Sequence, residues 1–145
     1  ESERIGYYGQ LAVEQLFFNG QLSLGVKGIY DPDNKDEVFP KIRGYLDPLN
    51  AKKGSVYTLE YSKPLLRIRN GFWSWDLYFE DLCASVFVDG AVPDRGEDQL
   101  AYGIELYQEL KCGSGILSFT LYPGIGIAYN RDGDKTYHLV LKGLN

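Results

Sequence analysis

Few side chains in this chain are spaced for chemistry. His138 is the only histidine, and it follows a loop carrying Asp132 and Asp134. A His–Asp couple can act as a base, but no nucleophile or oxyanion motif accompanies it, so the chain is not expected to be an enzyme. Cys83 and Cys112 are the only thiols. They make no disulfide framework and fall at unmatched positions, so both are expected to be free. With one His there is no metal-type Cys/His cluster. The stretch DPDNKDE, Asp31 to Glu37, alternates Asp and Asn and could offer oxygens to calcium. It lacks the Gly and closing Glu of an EF-hand loop, and a solvated turn is the better reading. No cofactor and no metal are expected. A net charge of -5 supplies no basic field for nucleic acid.

What remains is charge placed on strands, so the strands matter. The clearest is Gly115 to Tyr129, GILSFTLYPGIGIAY. Leu117, Phe119, Leu121, Pro123, Ile125, Ile127 and Tyr129 alternate with small or polar residues. A period of two gives a strand with two distinct faces. The run is long enough for the ~9–11 residues of a tilted bilayer-crossing strand. An apolar face toward lipid and a polar face toward a lumen is one reading. A long strand of a soluble barrel or sandwich is the other. No apolar run reaches the roughly 18 residues of a membrane helix. The chain carries no signal peptide and no Met, so it is expected to be a mature product or a piece of a longer one.

Tyr7 to Phe18 reads as a strand whose alternation breaks, which a bulge near Gln15 would reconcile. Asn19-Gly20 signals a two-residue hairpin into Gln21 to Tyr30. Val56 to Leu66 alternates Tyr57, Leu59 and Tyr61 against Thr58, Glu60 and Ser62, and Arg69-Asn70-Gly71 is expected to turn the chain. Trp73 and Trp75 follow, either as an interfacial girdle or as core residues. On Leu82 to Gly90, Leu82, Ala84, Val86 and Val88 share one face, and Cys83, Ser85, Phe87 and Asp89 the other. Leu100 to Cys112 carries Glu105, Glu109 and Lys111 on one face, which suits solvent or a wet lumen better than a dry core. A short turn is expected at Cys112 to Gly115, a polar hairpin loop at Asn130 to Lys135, and a last strand at His138 to Asn145. That makes seven hairpin-connected strands, no helix and a single domain over residues 1–145.

Three segments in order resemble a known family. IRGY (Ile42, Arg43, Gly44, Tyr45), LEYSKPLL (Leu59 to Leu66) and VFVDG (Val86 to Gly90), followed by two hairpins, resemble the C-terminal barrel of the BamA/TamA/FhaC superfamily, also called bacterial surface antigens. The resemblance covers roughly residues 7 to 145. It implies a non-enzymatic barrel in a Gram-negative outer membrane, in a protein that inserts barrel proteins or moves polypeptides across that membrane. It also implies that the motif loop folds into the barrel, where Arg43 meets an acidic residue on an inner wall, here Asp89. The alternation independently turns Phe87 and Asp89 away from the Leu82/Val86/Val88 face. Glu60 faces the same way and is a second candidate partner. The chain departs from the family in showing only the C-terminal half of a sixteen-stranded barrel, no periplasmic domains, and a Leu144-Asn145 end in place of a terminal aromatic.

The expected fold is therefore all-β, an antiparallel up-and-down transmembrane barrel. Seven strands cannot close that way, and an open edge is not tolerated in lipid. A barrel of about eight strands is expected, with residues 37–46 or the N-terminal segment as the eighth; a second copy or a missing half-barrel are the other ways to close it. Leu117, Phe119, Leu121, Ile125, Ile127, Leu82, Val86 and Val88 are expected to face lipid. The expected partners are the bilayer and client outer-membrane or secreted polypeptides. A membrane anchor without transport activity and a soluble lipocalin-like barrel are the alternative functions.

Overall fold

A computed structural model describes residues 7–30, 42–46, 51, 53–72, 77–114 and 117–142. These form seven strands and, among the described residues, no helix. The strands are β1 (Tyr7–Phe17), β2 (Gly20–Tyr30), β3 (Lys53–Phe72), β4 (Leu77–Pro93), β5 (Gln99–Ser114), β6 (Leu117–Asn130) and β7 (Lys135–Lys142). They pair in chain order, each antiparallel to the next, in one up-and-down sheet. The sheet is open: β1 and β7 each have one neighbour. The closed barrel of about eight strands is thus not formed by these residues. Ile42–Leu46 make a turn rather than an eighth strand. Residues 37–41, the Asp31–Glu37 stretch, Trp73 and Trp75 lie outside the described residues.

Several local expectations are corrected. No bulge interrupts β1, which pairs residue for residue from Tyr7↔Tyr30 to Phe17↔Gly20. The first hairpin turns one residue earlier than the Asn-Gly signal suggests. Phe18 and Asn19 occupy its two central positions with φ of 45° and 59°, the paired positive φ of a type I′ turn. Gly20 instead starts β2 under Tyr61, where a Cβ would fall 2.6 Å from a ring carbon. The Arg69-Asn70-Gly71 segment does not end its strand. The β3–β4 ladder slips between Arg67 and Asn70, Arg69 takes φ 43°, and pairing continues to Phe72↔Leu77; the turn signal is spent on a bulge. A second slip falls between Pro64 and Leu66, where proline has no ladder donor. Cys112 lies in β5 rather than a turn, and β7 starts at Lys135.

The two faces of the sheet have opposite character. The loop face, covered by Ile42–Tyr45, holds the buried residues, among them Ser85, Asp89 and Glu105. Ile42, Ala51, Val56 and Ala91 form a small apolar cluster beside them, with Tyr45 against it. The open face is apolar: Leu139 is 87% exposed, Ile125 64% and Ile104 58%. Val86, Val88 and Phe119 are also exposed there, while Leu82, Leu121 and Ile127 are half-buried. The Leu117 side chain is outside the described residues.

The apolar belt on the open face runs obliquely across the ladder. One rung joins Leu24, Leu59, Val88, Tyr102 and Tyr129 and ends at Lys135 on β7. Another joins Leu139, Ile125, Leu106 and Ala84 and ends at Lys63 on β3. These two rungs thus end on lysines in opposite directions across the sheet, while the rung between them, from Leu22 to Tyr137, carries none.

Candidate functional site

Strand alternation sets the walls of the site. On β4, Ser85, Phe87 and Asp89 point to the loop face; Glu60 of β3 is the ladder partner of Phe87, and Glu105 of β5 that of Ser85. Two carboxylates from neighbouring strands therefore flank the third. The loop brings Arg43 down onto all of them. Its Nε and Nη2 donate to the two oxygens of Asp89 at 2.7 and 2.8 Å. Its Nη1 donates to Glu60 Oε2 at 3.0 Å and to Glu105 Oε1 at 2.9 Å. The guanidinium carbon lies 3.6 Å from the centre of the Phe87 ring. A planar fork can make this bidentate, ring-stacked contact; an ammonium cannot. Burial pulls the Arg43 pKa down, but hydrogen bonds and charge from Asp89 and Glu105 outweigh it and hold it above its ordinary value.

Each residue of the IRGY turn makes a separate contact. Ile42 packs in the apolar cluster. Gly44 has φ 93°, and a Cβ there would sit 2.8 Å from the Ala101 Cβ. Only glycine meets both demands cheaply. Gly44→Ala should therefore cost about 1–3 kcal/mol, read as a shift in the chemical unfolding midpoint. The Tyr45 hydroxyl donates to the Leu100 carbonyl and accepts from its N–H, both at 3.2 Å. The Gly44 carbonyl accepts from Thr136 Oγ1 at 3.3 Å.

Three partners escape the sequence reading: Glu105, His138 and Lys142. Lys142 Nζ pairs with Glu60 Oε1 and, at 2.9 Å, with Glu105 Oε2. His138 Nε2 lies 3.0 Å from Glu105 Oε1. Ser85 Oγ donates to Glu105 Oε2 at 3.2 Å. Three carboxylates thus meet two permanent cations, Arg43 and Lys142, with His138 as a further donor. Glu105 does sit on the charged face noted in Leu100 to Cys112. Nothing local links His138 or Lys142 to it, because both reach it across β6.

The His138 couple with Asp132 or Asp134 does not form. The Asp132 and Asp134 N–H groups donate to Asn130 Oδ1 within the β6–β7 turn, and Asp134 Oδ2 accepts from the Asn130 amide. Ser85 and His138 do share Glu105, but the carboxylate stands between them, so the imidazole cannot take the serine proton as a triad base would. Cys83 and Cys112 are free thiols. Among the described residues no cluster of His, Cys, Asp or Glu is placed to hold a metal ion. The arrangement can do one thing well: hold a loop on a sheet electrostatically.

No protein-family model matches the chain, and neither a curated protein nor a solved structure matches it.

Proposed function

We propose that the chain is the C-terminal part of an outer-membrane β-barrel of the assembly or translocation type. Its apolar open face meets lipid, and its loop face lines a lumen pinned by Arg43. The observation that carries this reading is the inverted polarity: a wide exposed apolar face backs onto buried Asp89 and Glu105. Water-soluble sheets bury the apolar face; barrel strands in a membrane present it. The oblique belt supports the same reading. Barrel strands tilt by roughly 35–45° against the axis, so a belt level with the membrane must cross the rungs obliquely. The resemblance of IRGY and VFVDG to the BamA/TamA/FhaC motifs adds the functional class. Such a barrel acts by strand addition: a client strand pairs with an open edge while the loop holds the lumen wall in shape.

Strand parity bears on closure. With seven antiparallel strands, β1 and β7 run in the same direction. An all-antiparallel barrel therefore needs an odd number of further strands between them, and a second copy inserted the same way would meet both edges in parallel. Detergent dependence and vesicle flotation test the proposal. The expected result is a monomer only in detergent and co-flotation with phospholipid vesicles. A monodisperse protein in plain buffer that stays at the bottom of the gradient would favour a soluble barrel instead.

A further inference from the structure

The inner surface of β6 is nearly bare between Gly124 and Ala128, where Gly124, Gly126 and Ala128 face the loop side, and Tyr122 follows on the same face. A Cβ on Gly126 would run into the His138 ring and come within 2.9 Å of Glu105 Cγ. This gap lets Thr136 and His138 cross over β6 altogether, opposite Ala128 and Gly126, while Lys142 lies opposite Tyr122. Thr136 bonds the loop backbone at Gly44, His138 reaches Glu105, and Lys142 reaches Glu105 and Glu60. Glu60 and Glu105 are the same carboxylates that Arg43 holds from the loop.

We infer that the Ile42–Tyr45 turn and the edge strand β7 are one coupled unit, in which a seated loop keeps the β7 edge in place and a displaced loop releases it. β7 has a single ladder partner and eight residues, so its position depends more on side-chain tethers than that of any strand paired on both sides. Removing Arg43 takes away the cation that, with Lys142, neutralises Glu60 and Glu105, and it unseats the carbonyl that Thr136 binds. The edge then keeps only the Lys142 and His138 tethers and exchanges its pairing more readily, which makes the loop a control on the availability of β7 as a strand-docking edge. The coupling itself rests on the side-chain network and holds whether or not the open face meets lipid.

Amide hydrogen exchange on the folded protein, in whichever of detergent or buffer keeps it monomeric, tests this directly. Arg43→Ala should speed exchange of the β7 amides by about tenfold or more through local opening, while the central β4–β5 amides, which exchange through global unfolding, should speed only by as much as the loss of global stability requires. Thr136→Val keeps shape and removes only the hydroxyl bond; it should speed β7 by about threefold, and it carries the test if Arg43→Ala fails to fold. Lys142→Ala should in turn loosen the amides of residues 43–46, and its effect should be non-additive with that of Arg43→Ala. Leu139→Ala, on the open face of the same strand, should leave the loop unchanged. Unaltered β7 exchange in both Arg43→Ala and Thr136→Val would overturn the coupling, as would a loop loosened equally by Leu139→Ala and Lys142→Ala.

Discussion

Leu24→Arg should destabilise the protein in a bilayer by about 2–4 kcal/mol, while Gly25→Arg beside it should cost about 1 kcal/mol or less. Leu24 lies on the open face, in the rung with Leu59 and Val88. Gly25 is on the other face, opposite Thr58. A Cβ on Gly25 meets nothing within 4 Å, and the residue borders a cavity of about 330 Å³ with Lys27, Arg43 and Asp89. The two positions are adjacent, so they differ little in depth and mainly in the side they face. Unfolding of the two variants in lipid gives the comparison. Equal costs would mean that the faces do not meet different media.

Arg43→Ala should cost about 3–5 kcal/mol of unfolding free energy, because it strands carboxylates rather than removing a surface pair. The Asp89 and Glu105 side chains are only 4% and 2% exposed, and Arg43 itself 21%. Lys142 and His138 remain for Glu60 and Glu105, but no other charged partner touches Asp89 among the described contacts. Arg43→Lys should recover less than half of the loss, since it restores charge without the fork or the Phe87 stacking. Asp89→Ala should also be costly. The Arg43→Ala/Asp89→Ala double variant should be no worse than either single one, as expected for two residues acting as a pair.

The sequence made the faces legible because a period of two survives even where strand ends do not. Asp89 and Glu60 were assigned to one face by alternation, and the structure brings both onto Arg43. Strand ends were less legible. Arg69-Asn70-Gly71 looks like a turn, yet Arg69 takes its positive φ inside a bulge and β3 goes on to Phe72. Asn19-Gly20 misplaced the hairpin by one residue, because Gly20 serves the close approach of Tyr61 instead of the turn. The contributions of His138 and Lys142 had no local signal at all. His138 depends on β6 offering Gly126 where it must reach over, and Lys142 on a position opposite Tyr122, relations between strands that pairing register alone creates. The loop could be singled out only through its resemblance to IRGY-type motifs, since a four-residue turn has no periodicity to read.

A nitroxide scan of Leu22 to Lys27 in lipid, with Cys83 and Cys112 replaced by serine, shows whether the open face meets lipid while the loop face is wet. Labels at Leu22, Leu24 and Val26 should then show high collision rates with oxygen, which partitions into the bilayer. Labels at Ser23, Gly25 and Lys27 should instead favour a water-soluble metal chelate, giving a strict period of two. Water access on both faces, or an open face reached by neither reagent because protein covers it, would contradict the account.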